Sequence, residues 1–122
     1  MKSTMLKLTG TAALALSVVM PVAVASDLVA GKTAFEKFAC ASCHGADAKT
    51  SVLPTYPVLA GQHEDYLLHS LRSYQRGATG STDVNARNNA VMTAMVQQLS
   101  DADMRNLAAW LASLPSDLAV RR

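Results

Sequence analysis

Cys40-Ala41-Ser42-Cys43-His44 sets two thiols three residues apart, on one turn of helix, with an imidazole directly after the second. Thiols at that spacing can add to the two vinyl groups of a haem and form thioethers. The adjacent histidine can then supply a ring nitrogen to the iron from below. C-x-x-C-H is the attachment pattern of a c-type haem. Three plainer readings compete with it. A thioredoxin-like redox pair wants a βαβ pattern beside its C-x-x-C, whereas a helix-like stretch precedes Cys40. A zinc site normally needs four ligands. The chain has no second Cys pair, and its other histidines, His63 and His69, stand at no recognisable ligand spacing. A structural disulfide would leave His44 unexplained.

Upstream of that stretch the chain begins with a segment of a different kind. Lys2 and Lys7 give a positive start, residues 8–22 are mostly apolar and small, and Ala23-Val24-Ala25 offers an A-x-A cleavage site. This pattern predicts a signal peptide over 1–25. As a membrane anchor the apolar run is shorter than the roughly 20 residues that span a bilayer, and Pro21 interrupts it. One domain of 26–122 is left. Eleven Lys and Arg, less Lys2 and Lys7, leave nine against nine Asp and Glu, so the exported chain is formally neutral. No basic stripe remains for nucleic acid, and no stable membrane insertion is expected after cleavage. Export places the Cys pair where thiols are usually oxidised or consumed, which suits thioethers better than a free dithiol. Two Phe, one Trp and three Tyr make a thin aromatic core for one small domain, and a bound haem would supply a large apolar body to pack against.

Apolar spacing after residue 26 is helical throughout. Ser26 or Asp27 can cap a first helix to about Ala41, with Leu28, Gly31, Phe35 and Phe38 along one face. Residues 45–61 read as a loop, stiffened by Pro54 and Pro57. A plain connecting loop is the default reading; a sharper one lays this stiff strip along the haem, with its carbonyls holding the imidazole of His44. A second helix is expected over Glu64–Arg76, acidic at its start and basic near its end, with Gly77 as its stop. After a polar loop, Asn88-Asn89 can start a short helical turn. Ser100-Asp101-Ala102-Asp103 resembles a capping box and opens a last helix to about Leu114, striped by Met104, Leu107, Ala108, Leu111 and Leu114. The expected architecture is all-α, with three main helices, one short helix and two long loops. Met92, Met95, Met104, His63 and His69 are candidates for a second iron ligand. Met104 lies in the stripe of the last helix and reads as core, and no motif rule selects His63 or His69. Pattern alone does not choose between Met92 and Met95, which follow the second loop.

The order of motifs is similar to that of the bacterial class I c-type cytochromes, especially one domain of the periplasmic dihaem cytochromes c and their short monohaem relatives. The matching stretches are Cys40–Gly45, Tyr56-Pro57-Val58-Leu59-Ala60-Gly61-Gln62, Tyr66-Leu67, Val91-Met92-Thr93-Ala94-Met95, Leu99–Asp103 and Leu107-Ala108-Ala109-Trp110. They cover nearly all of 26–122. The resemblance implies the class I cytochrome c fold and one haem c, attached through Cys40 and Cys43. It implies axial ligation by His44 and Met92, with Met95 in the pocket. It also implies that the carbonyl bonding His44 is that of Pro54, and that Gly31 and Phe35 face the last helix around Trp110. Trp110 stands where relatives often have Tyr. A single C-x-x-C-H departs from the dihaem pattern.

The function this implies is a periplasmic carrier of single electrons between redox proteins, not an enzyme. Two alternatives stand beside it: an electron-transfer subunit of a larger oxidoreductase, and a ligand-binding or peroxidase-like haem protein with an open axial position. Tyr56, Gln62 and Arg87, polar and in or beside the loops, are the expected partners of the haem propionates.

Overall fold

A computed structural model describes residues 26–117. The expected leader, its cleavage site at Ala25 and the last five residues lie outside them. Five helices follow in order, α1 (Leu28–Lys37), α2 (Ala41–His44), α3 (Glu64–Ala78), α4 (Ala90–Val96) and α5 (Asp101–Ser113), with no strand among the described residues.

Asp27 caps α1, its carboxylate accepting from the N–H groups of Val29 and Ala30 at 2.9 and 3.0 Å. The helix ends four residues before the expected Ala41. Ala39 takes a left-handed φ of 53°, its N–H bonds Glu36 O, and the N–H of Cys40 reaches back to Phe35 O. That is the Schellman stop, with alanine in the place glycine usually fills. The turn lets the chain restart as α2, so the Cys–His motif has a short helix of its own, one more than expected.

The N-terminal and C-terminal helices cross face to face. A methyl group built at Gly31 would overlap Asn106 O and lie 2.6 Å from Trp110 Cβ. The Phe35 and Trp110 rings pack beside this crossing with centroids 5.0 Å apart. The backbone N–H of Asp27 adds a bond to Asn106 Oδ1 at 2.9 Å. Helix α5 also packs on α3, and α3 on α4. Phe35, Met104, Leu107, Ala108 and Leu111 form the buried centre, so the expected stripe of α5 is the core, Met104 included. Both expected caps are present: Asn89 Oδ1 accepts from Val91 and Met92 N–H, and Ser100 and Asp103 form a reciprocal capping box.

Helix α3 overruns its expected end. Gly77 lies inside it, and a Cβ there would overlap Arg87 O. The glycine therefore admits the returning loop rather than stopping the helix.

Candidate functional site

The helices enclose a cleft of about 500 Å³, within the size range of small-molecule and cofactor sites. Cys40, Cys43 and His44 stand on one wall, and Met92 and Met95 also line it. Phe35, Phe38, Leu67, Leu71, Leu107 and Leu111 make most of the rest apolar. The remaining candidate ligands, His63, His69 and Met104, do not line it.

His44 is 6% exposed, and its Nδ1 lies 3.0 Å from Pro57 O. A carbonyl only accepts, so Nδ1 carries the proton and Nε2 keeps its lone pair. This is how proteins commonly orient a metal-binding imidazole. The carbonyl is that of Pro57, which corrects the expectation of Pro54. Leu59 and Ala60 both donate to Ala48 O, at 2.9 and 3.0 Å, which draws Pro57 back beside α2. A turn closed by Tyr56 N–H on Leu53 O throws Pro54 outward, exposed and away from the cleft.

Burial pushes the Cys40 thiol above its ordinary value, with the neighbouring Cys43 adding to the effect against an opposing backbone hydrogen bond. A thiol held neutral is a poor nucleophile for disulfide exchange, which counts against Cys40 as the attacking thiol of a dithiol redox catalyst. Both cysteines are free. No cluster of His, Cys, Asp or Glu able to hold a metal ion occurs among the described residues.

Tyr56, Gln62 and Arg87 all line the cleft. The Arg87 guanidinium lies over the rings of Tyr66 and Tyr74, 5.5 and 5.7 Å from their centroids. It also donates to Tyr66 Oη at 3.4 Å, and that hydrogen bond lowers the Tyr66 pKa. Sequence reasoning passed over Tyr66 as a lining residue, although Tyr66, Ser70 and Tyr74 recur at four-residue spacing on one face of α3. A second hollow of about 430 Å³ lies beside Trp110, under the Lys49–Asp117 ion pair. It contains no cysteine, histidine or methionine.

The donor set fits one covalently attached haem c: two thiols on one turn, an oriented imidazole next to them, and a large apolar cleft. A family model for cytochrome c matches residues 28–115. The chain is 41% identical over 75 residues to a cytochrome c4 of Stutzerimonas stutzeri, covering 61% of this chain and 35% of that protein. It is 39% identical over 74 residues to cytochrome c-554(548) of Halomonas halodenitrificans, covering 61% of this chain and 82% of that one. A crystal structure of reduced recombinant cytochrome c4 from Pseudomonas stutzeri superposes with a TM-score of 0.67 at 36% identity, over 76% of this chain and 48% of the other. The chain thus spans about a third to a half of the cytochrome c4 relatives, and most of the shorter cytochrome. From its motif to its helix crossing, this chain belongs to the cytochrome c family.

Proposed function

We propose that this chain carries single electrons between redox proteins, through one haem c attached at Cys40 and Cys43 and ligated axially by His44 and Met92. The observation that carries the reading is that both thiols, the oriented His44 imidazole and a Met92 thioether line one apolar cleft. Bound haem supplies an iron that gains and loses one electron. The protein's part is to hold that group and set its environment. Pro57 O fixes the tautomer of His44, and the leucine and phenylalanine walls keep water out. Met92 offers a soft donor that favours the reduced metal. Met95 is the other methionine in the cleft, and the family motif, not the geometry, selects Met92. Tyr56, Gln62 and Arg87, which line the cleft, are the partners this reading gives to the propionates.

Export to the periplasm with cleavage near Ala25 rests on the leader pattern. No described helix is long and apolar enough to cross a membrane. Val58, Tyr66 and Val91 are exposed around the cleft. They offer a partner a small apolar face, in keeping with the weak interfaces of electron-transfer encounters.

The test is the visible spectrum of the periplasmically expressed holoprotein, oxidised and reduced, with and without carbon monoxide. A low-spin spectrum with an iron–methionine band and no carbon monoxide shift is expected. In Met92→Ala that band disappears and carbon monoxide binds. A wild type that takes up carbon monoxide has an open iron site, and the sensor or peroxidase-like alternative replaces the carrier. A Met92→Ala variant with the wild-type spectrum removes Met92 as ligand.

A further inference from the structure

Arg76 has no place in the cleft, yet it ties the polar loop after α3 to that helix. Its Nη2 donates to Ser73 Oγ and to the backbone carbonyl of Asn85, both at 2.9 Å. Ser73 is 1% exposed, and its hydroxyl donates to His69 O at 2.7 Å, so the anchor point is tied to the α3 backbone. The returning chain is gripped again two residues later. Arg87 N–H donates to Ser73 O at 2.9 Å, and Arg87 O presses on the bare Gly77. Asn89, two residues further on, caps α4 by accepting from Val91 N–H and Met92 N–H, at 3.1 and 3.0 Å. From the buried seryl anchor to the backbone of Met92 the path runs through the hydrogen bonds of Asn85, Arg87 and Asn89.

We infer that Arg76 is a positioning residue for the axial methionine: it clamps residues 85–88 onto α3, and so holds Met92 at the iron. This rests on the reading of Met92 as ligand. Its two hydrogen bonds go to the buried Ser73 hydroxyl and to the backbone of the returning chain. Replacing Arg76 by Met keeps an apolar stem on α3 and removes both bonds, so it releases the loop. Loss of the clamp therefore appears as a mobile sixth ligand more than as a less stable fold.

The experiment uses holoprotein and two readouts, the iron–methionine band of the oxidised form and the carbon monoxide uptake of the reduced form. Arg76→Met is expected to weaken the band and raise carbon monoxide uptake about tenfold or more, since two charge-assisted hydrogen bonds are lost. Gly77→Ala keeps every donor but displaces Arg87 O, and is expected to act in the same direction. Ser100→Ala breaks the capping box of α5, away from the loop, and is the control for destabilisation alone; it leaves both readouts as in wild type. Wild-type behaviour in Arg76→Met overturns the proposal. So does equal opening in Ser100→Ala at a matched melting temperature. If Met92→Ala opens the iron while Arg76→Met does not, only the clamp fails. If Met92→Ala changes neither readout, the ligand assignment fails and the clamp falls with it.

Discussion

Gly31 and Pro57 are single residues whose backbones do what no side chain could do in their places. At Gly31 the obstruction is Asn106 O and the Cβ of Trp110, both fixed parts of α5 that cannot swing away. Gly31→Ala must push α1 off α5, and overpacking of this kind costs about 1–3 kcal/mol. In a domain of this size each kcal/mol lowers the melting temperature by about 4–8 °C. The expected holoprotein melts earlier while keeping its iron–methionine band, since His44 lies on α2 and Met92 on α4, outside the displaced pair. Calorimetry showing the wild-type melting temperature would mean that the helices do not cross so closely. Gly31 and Phe35 were legible in the sequence because helical spacing and the family pattern put them on one face. Pro57 was not. Two prolines flank Thr55-Tyr56, and each has a carbonyl able to accept. The choice between them is made by Ala48 O holding Leu59 and Ala60, a contact with no signature in the local sequence.

Helix starts were easier to read than helix ends at the scale of whole elements. Asp27, Asn89 and Ser100 each bond the N–H groups of the turn they precede, a local interaction that residue type announces. The ends depend on what arrives from elsewhere, as with Arg87 O against Gly77, or on an alanine accepting a left-handed turn. Within the loop between α2 and α3, Asp47 orders a turn by accepting from Thr50 N–H at 2.7 Å, Lys49 N–H at 2.9 Å and the Thr50 hydroxyl at 2.8 Å. These bonds, the Thr50 N–H first, hold its carboxyl at about 2, below the ordinary 3.8. A depressed carboxylate contributes stability that is present above the ordinary value and disappears as pH falls through the lowered one. Wild type should therefore lose stability more steeply than Asp47→Asn between pH 4 and pH 2, because the amide keeps an acceptor but cannot titrate. Parallel acid-unfolding curves for the two proteins would show that this turn adds nothing to the pH dependence.

The whole molecule is a shell of helices around a place for something that is not polypeptide. Phe35 and Met104 are the bulkiest of its fully buried side chains, and both belong to the packing of α1 and α5, beside the cleft rather than across it. Phe38, Leu59, Leu71 and Met92 are only partly buried at the edge of that core. Small domains bury proportionally little surface and are marginal. Here a cleft of about 500 Å³ divides the helix that carries His44 from the one that carries Met92. Filling it gives each wall the other's support. A Cys40→Ser, Cys43→Ser double variant prepared free of haem should lose helix content in far-ultraviolet circular dichroism and melt without a cooperative transition. Helices α1 and α5, which meet through Gly31 and the Phe35–Trp110 pair, should keep the most amide-exchange protection. The slow-exchanging amides should therefore cluster at that crossing, while the segment from residue 79 to Val96, whose helix α4 packs chiefly on α3, exchanges freely. A haem-free variant that melts cooperatively, with protection spread evenly over α3 and α4, would mean that the polypeptide closes its own core and that the cofactor is only a guest in it.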